Sequence, residues 1–394
     1  MNILDLPPEL ITVCFSYLKG TDLARVAQSC TLFNEISSIE KLWQDRCRKE
    51  YGLPTDTKLN VSFKKWYEKV LHENGSIVGL WRINTTCYGG LIHIWYTEEG
   101  DILAEEFYSQ KDVHEKLLQK ELFCVALDEE KNVQKQWLAN CLVPQPCEIQ
   151  VNKDTRVKDK FSVEQKERKK SAREKEQEKL MFLEDCELRG THRELCMYKW
   201  QSYKQNQFKQ SFERIDPSRF EPVAKVPIQP GLFKGMYGGH GTEIVHLYYT
   251  SDGSSGQAQK ISGDPNVPSG EISIRFDVDK HMVLNKDQQE FKLLSVIEAD
   301  DEETNIPYKP EKMDRQPFVI PSDIMIDNRN AVCPKYCIAR FHGKGTVSPM
   351  GYRNPTLINI HFIVFSENQF GVLWMDLHSF SMFSRVEENF PALR

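Results

Sequence analysis

The spacing of apolar residues changes once along this chain, near Gly75, and that change sets the fold class. From Leu6 to about Trp66 apolar side chains recur at helical spacing; beyond Gly75 they come in short runs broken by Gly, Pro and Asn. Pro7 and Pro8 stand where a first helical turn tolerates proline, and Leu10, Ile11, Cys14, Phe15 and Leu18 form one stripe that Gly20 is expected to end. Asp22 is placed to cap a second helix burying Leu23, Val26, Ala27 and Cys30, and Phe33 and Ile36 mark a third. Leu42, Trp43, Cys47 and Tyr51, then Phe63, Trp66, Tyr67 and Val70, predict two more.

The later runs, SIVGLWRI, LIHIWY, ELFCVAL, GLFKGMYG, TEIVHLYYT, EISIRFDV, PFVI, YCIARFHG, LINIHFIVF and FGVLWMDL, read as strands. Turns such as SDGSSG and SENQFG join them as hairpins, which favours a mostly antiparallel barrel or sandwich over a parallel α/β sheet. The expected fold is therefore α+β: a helical head over residues 1–50, a helical linker over 51–75, and a single β-barrel over 76–394. A charge-dense stretch at about 152–212 reads as a helical insert, and the acidic stretch EADDEETNIPYKPEKMDRQ as a surface loop.

Three short amphipathic helices cannot bury their apolar side within roughly forty residues, so something outside must cover it. That cover is either the β-rich remainder or another protein. The stretch LPPELITVCFSYLKGTDLARVAQSCTLFNEI followed by Leu42-Trp43 resembles an F-box, matching at Leu6, Pro7, Glu9, Leu10, Phe15, Leu18, Asp22, Leu23, Val26, Cys30, Phe33 and Trp43. The resemblance implies docking on a Skp-type adaptor, and through it on cullin and RING subunits of a ubiquitin ligase. Leu6, Pro7, Leu10, Ile11, Phe15, Leu18 and Leu23 are the expected anchors.

The segments QPGLFKGMYGGHGTEIVHL, KISGDPNVPSG with EISIRFDV, and FGVLWMDLHSFSMFSRV are similar to the substrate-binding barrel of one branch of that family. The resemblance implies a non-catalytic receptor for substrate C-termini: tails of D-type cyclins, and damaged proteins that end in a primary amide. By the same match Lys260 and Asp264 are the pocket residues, with Tyr237 and His240 at its mouth. As a carboxylate, Asp264 accepts a hydrogen bond from a terminal NH₂ and repels a terminal carboxylate, while Lys260 or backbone N–H groups would satisfy the amide oxygen. Gly-Asp-Pro-Asn is equally ordinary turn chemistry, and Tyr237-Gly-Gly-His-Gly equally a tight hairpin.

Composition restricts the alternatives. Lys and Arg number 51 against 57 Asp and Glu, a net charge of −6 that lacks the basic field nucleic-acid binding draws on. No apolar run approaches the roughly 20 residues of a membrane span, and Asp5 and Glu9 replace the basic start of a signal peptide. A cytoplasmic and nuclear protein is expected, its eleven cysteines mostly buried thiols. GMYGGHG and GKGTVSPMG lack the Lys-Ser/Thr of a phosphate-binding loop, and no elbow motif marks a nucleophile. The resemblance implies a structural zinc, but only Cys141, Cys147, Cys186, His192 and Cys196 offer ligands, and nothing between Lys153 and Cys186 completes a set. No metal and no cofactor are therefore assigned. The competing reading is a small-molecule-binding or hydrolytic β-barrel enzyme capped by the N-terminal helices.

Overall fold

A computed structural model describes residues 3–140, 143–152, 159–166, 170–291, 293–294, 308, 315–327 and 333–390. The chain forms two compact units, one of residues 1–80, 93–105 and 121–167, the other of residues 81–92, 106–120 and 168–394.

The first unit opens with helices α1 (Pro8–Phe15), α2 (Gly20–Val26), α3 (Thr31–Ser37) and α4 (Glu40–Tyr51). α5 (Phe63–Trp66) runs through a π turn into α6 (His72–Asn74). Two expected end signals are corrected. α1 stops at Phe15, and Gly20 opens α2, where a Cβ would come within 2.2 Å of the Tyr67 ring. Asp22 lies inside α2, paired with Arg25 at 3.1 Å; Glu50 Oε1 instead accepts the Gly20 N–H at 2.8 Å and satisfies that helix start. Ile11, Phe15, Leu23, Leu42 and Trp43 are buried, with Phe15 edge-on to Phe33 at 5.2 Å. Arg46 ties this head together by donating to the carbonyls of Leu18 (2.8 Å) and Ser16 (2.7 Å).

The β region is not the single barrel expected. Strands β1 (Gly79–Ile83), β2 (Leu91–Tyr96), β3 (Ile102–Tyr108), β4 (Leu118–Leu127), β5 (Val133–Trp137), β6 (Gln145–Val151), β7 (Lys160–Gln165) and β8 (Lys209–Arg214) follow one another around a closed barrel, β8 pairing antiparallel with β1. The supposed insert at about 152–212 therefore holds two barrel strands, with the helical hairpin α7 (Ala172–Leu188) and α8 (Arg193–Asn206) between them. Ser171 and Glu174 form a reciprocal capping box that starts α7. Residues 153–158 and 167–169 of the charged run lie outside the described residues, as does most of the acidic stretch, residues 298–307 and 309–314.

The second sheet contains β9 (Gly231–Met236), β10 (Thr242–Tyr249), β11 (Ser255–Lys260), β12 (Ile272–His281), β16 (Ala339–Val347), β17 (Thr356–Ser366), β18 (Gln369–Trp374) and β19 (Ser379–Arg385). It closes through β19–β9 pairing. β14 (Met325–Ile326) adds a short parallel strand to β19, while β13 (Gln316–Pro317) pairs with β15 (Tyr336–Cys337) apart from it. The run PFVI contributes only its proline to β13.

Strict alternation explains this barrel: Val245, Leu247 and Tyr249 on β10, and Ile358, Ile360, Phe362 and Val364 on β17, enter one core with Phe233, Phe276, Phe341, Phe370 and Phe383. Phe276 stacks on Phe362 at 3.8 Å and Phe370 on Phe383 at 4.6 Å. Residues of opposite parity, Ile363, Phe365, Leu373, Phe380 and Met382, face a second core formed with Met282, Leu284, Leu294 and Phe318. Both sheet faces are thus buried along these strands, which is why they read as nearly continuous apolar runs.

Candidate functional site

Alternation carried to the ends of β10 and β11 brings charge into the barrel. Lys260 closes β11 two residues after the core residue Ala258, and Glu243 lies two residues before the core residue Val245. Both are buried, Lys260 at 1% and Glu243 at 3% exposure. Lys260 Nζ stands 2.6 Å from Asp264 Oδ2, 2.7 Å from Glu243 Oε2 and 4.0 Å from the centre of the Tyr237 ring. The Tyr237 hydroxyl meets the Ser273 hydroxyl at 3.2 Å. Ser273 falls between Ile272 and Ile274, where the β11–β12 register skips a residue, so a bulge frees it for that contact.

The loop after β11 holds Asp264 in place. Asp264 Oδ1 accepts from the backbone N–H of Asn266 (2.6 Å) and of Val267 (3.0 Å), an Asx turn, while Oδ2 faces the ammonium. The turn reading of this stretch is realised, and the same side chain also pairs with Lys260. Gly263 N–H donates to the Tyr88 carbonyl (2.9 Å) and Ser269 N–H to that of Cys87 (2.8 Å); Pro265 accepts from Gly351 (2.7 Å). Gly270 takes φ +94°, and a Cβ there would lie 2.8 Å from the Arg82 guanidinium. The loop is thus clamped on two sides.

The charges settle unequally. Burial opposes ionisation of Asp264, but Lys260 overrides it and, with His240 and the Val267 N–H, holds the carboxyl down at about 2. Burial likewise works against the Lys260 charge, yet the two carboxyls raise its proton affinity above that of a free lysine. Glu243 has no backbone donors: burial first, with Asp264 beside it, pushes its carboxyl up to about 8 against the pull of Lys260. Burial lowers the proton affinity of His240 and of Lys199 on α8, whose ammonium lies 5.4 Å from the Tyr88 ring and donates to Thr191 Oγ1 at 3.1 Å.

Of the four expected site residues, Lys260, Asp264 and Tyr237 are in contact with one another. His240 is half-buried, and its charge interacts with those of Asp264 and Lys260. The glycines of Tyr237–Gly241 serve the chain itself: Gly239 carbonyl accepts from His192 N–H (2.9 Å), and a Cβ on Gly241 would meet the Arg189 carbonyl at 2.6 Å. They seat the α7–α8 turn. Lys260 is not free to bind an amide oxygen as expected, being committed to two carboxyls. Glu243 was missed altogether.

The expected anchors of the helical head divide. Ile11, Phe15 and Leu23 are turned into the head's own core, so as surface anchors they are corrected. Leu6 and Leu18 are half-buried and Pro7 is exposed. Leu10 is 51% exposed, joined at helical spacing by Val13 (53%) and, just past the helix, Tyr17 (83%), with Ile3 and Leu4 also exposed. Val13, Tyr17, Ile3 and Leu4 complete an apolar face that the sequence stripe had placed one residue round the helix.

Cys141 lies outside the described residues, and burial pushes the Cys147 and Cys186 thiols up to about 12. Among the described residues no three His, Cys, Asp or Glu side chains converge on a metal position, and no helix is long and apolar enough to cross a membrane.

Residues 3–49 match the F-box-like family, and residues 212–389 the Cyclin D1 binding domain family. Over 443 residues the chain is 30% identical to F-box only protein 31 of Rattus norvegicus, covering 99% of this chain and 85% of that one. The Homo sapiens protein of the same name is 30% identical over 461 residues, covering 99% and 84%. F-box only protein 31-A of Xenopus laevis is 29% identical over 454 residues, covering 99% and 85%.

Proposed function

This chain belongs to the F-box only protein 31 family, and we propose that it acts as a non-catalytic substrate receptor of a Skp–cullin–F-box ubiquitin ligase. The observation that carries this reading is the apolar face of Leu10, Val13 and Tyr17, left open to solvent by a helical head whose own core is already filled by Ile11, Phe15 and Leu23. Such a face suits a helix-in-groove partner, in which a few apolar anchors dominate affinity. The receptor works by proximity: a substrate held near a ubiquitin-loaded partner reacts as if intramolecularly.

The second barrel is the substrate side in this reading. Its match to the Cyclin D1 binding domain family supports D-type cyclin tails as one substrate class. Protein ends bearing a primary amide are the other. An ionised carboxylate offers about four lone-pair positions, and three on Asp264 are taken by Asn266, Val267 and Lys260. One acceptor position remains for a ligand N–H, and a ligand carboxylate would meet like charge there.

Two measurements test the proposal. Capture of a Skp adaptor by the full chain should be lost in the Leu10→Asp/Val13→Asp double variant while the melting profile is kept; capture unaffected by both charges removes the docking face. A peptide with an amide end should bind more tightly than the same peptide with an acid end, and Asp264→Asn, which preserves the Asx acceptor, should reduce the preference. Equal binding of both ends by the unaltered chain removes the amide reading.

A further inference from the structure

Lys260, Glu243 and Asp264, exposed by 1–3%, leave one role unfilled. Lys260 has three N–H donors, directed among Asp264, Glu243 and the face of Tyr237. A ligand oxygen would have to compete with all three for the ammonium. Asp264 is held as an acceptor by two backbone N–H groups on Oδ1. Glu243 has neither help: among the described residues no backbone N–H reaches it, and its fully buried Oε1 makes no hydrogen bond. One ammonium beside two buried carboxyls leaves an excess negative charge in a medium that penalises it, and the cheapest relief is for one carboxyl to keep its proton. The number of donors on each decides which one.

We propose that Glu243 is a ligand-contacting residue of this site, a neutral carboxylic acid whose O–H donates to the carbonyl oxygen of the substrate's terminal group. The inference rests on the reading of the barrel mouth as the substrate-end site and adds the donor that reading lacks. The resting site then offers one acceptor position on Asp264 and one donor on Glu243, the complement of the N–H and C=O of a primary amide. A buried O–H without a partner is costly, so a ligand that satisfies it gains what an apolar end cannot.

The upward displacement of the Glu243 carboxyl, to about 8, agrees with that assignment. The sign follows: below that value the donor is present, and as pH rises through it the O–H is lost and a second carboxylate appears. The groups whose charges act on Glu243 are Lys260 on β11, Asp264 on the following loop and Lys199 on α8, with Tyr237 and His240 beside the Lys260–Asp264 pair. Lys260 and Tyr237 are displaced to higher pH than free residues, and His240 and Asp264 to lower. Lys199, its proton affinity lowered by burial, and Cys87, whose thiol burial pushes up to about 11 with Asp264 and Glu243 adding to it, are the other groups that can titrate under alkaline conditions.

The experiment follows binding of an amide-ended peptide and its acid-ended twin to the full chain from pH 6.5 to 9.5, with circular dichroism confirming the fold at each point. The unaltered chain should prefer the amide at pH 7, and its affinity should fall about tenfold per unit above about pH 8, as loss of one required proton demands. Glu243→Gln keeps an N–H donor that cannot ionise: it should bind within a few-fold of the unaltered chain at pH 7 and show a flat profile. A slope that survives in Glu243→Gln belongs to Lys199 or Cys87 and overturns the proposal. Glu243→Ala should bind weakly throughout. If the unaltered chain prefers the amide but its profile is flat to pH 9.5, Glu243 is not the donor and the mouth reading stands; if it does not prefer the amide at pH 7, the mouth reading itself fails. The profile of the unaltered chain decides the matter even where a variant does not fold.

Discussion

Replacing Lys260 with methionine tests whether the charge cluster at the barrel end is structural as well as functional. The thioether fills most of the space of the lysine stem but leaves Asp264 and Glu243 buried with no ammonium between them. Breaking a buried ion pair by removing one partner costs about 3–5 kcal/mol. An independent measure comes from Asp264, held at about 2 against an ordinary 3.8; at 1.36 kcal/mol per unit that preference alone is worth about 2 kcal/mol. A unit of this size loses roughly 2–4 °C of melting temperature per kcal/mol, so the transition of the second unit should fall by at least about 6 °C at pH 7. The pH dependence is the sharper assay. In the unaltered chain Asp264 is depressed, so its contribution is full above the unfolded value of 3.8 and is lost as pH falls through about 2. In Lys260→Met burial and the neighbouring Glu243 raise Asp264 against the remaining pull of His240 and the Val267 N–H, and Glu243 loses the ammonium in contact with it, so the variant regains stability on acidification as the carboxyl pair takes up a proton. Differential scanning fluorimetry from pH 8 to 5 should therefore show a gap that narrows as pH falls. No destabilisation at pH 7, or a gap that widens toward pH 5, would refute the reasoning.

Phe15→Asp, unlike substitution of the exposed Leu10, buries a charge against Phe33 and should unfold the helical head, seen as lost protection of α1 and α3 amides in hydrogen exchange. Phe276→Ala removes the ring stacked on Phe362 and should cost about 3–5 kcal/mol in chemical denaturation. Arg340, 1% exposed, makes no hydrogen bond through Nε, Nη1 or Nη2 among the described residues, and burial lowers its guanidinium to about 10. Its replacement by methionine should be neutral or stabilising by about 1–4 kcal/mol, read as an unchanged or raised melting temperature.

The long apolar strands of the second barrel were legible because both of their faces are buried: β10 and β17 stand within a residue of TEIVHLYYT and LINIHFIVF, and β18 within three of FGVLWMDL. Strands with a solvated face were not. QPCEIQV and KFSVEQ alternate correctly, with Cys147, Phe161 and Val163 buried, but their charged neighbours left β6 unread and made β7 part of a helical insert, and the closed barrel of β1–β8 went unseen with them. SGQAQK failed for a different reason: Gly256 sits under the Phe276 ring, where a Cβ would come within 2.2 Å, so β11 carries small residues in place of a strand's usual β-branched ones.

The site divides along the same line. Lys260 and Asp264 were singled out by the resemblance, with Gly-Asp-Pro-Asn read equally as a turn, and the Asx bonds of Asp264 show that the turn is what fixes the carboxylate. Glu243 sits in a run that looks like any strand beginning, where a glutamate is ordinarily a solvated edge. The signal lay in parity. Glu243 shares its side of β10 with Val245, Leu247 and Tyr249, all core residues, as Lys260 shares its side of β11 with Ala258. A charge of inward parity near a strand end has to meet an opposite charge or give up its own. Asp264 has two backbone N–H donors besides Lys260 and Glu243 has none, so parity brings Glu243 into the site and the unequal donors leave it the carboxyl that gives up its charge.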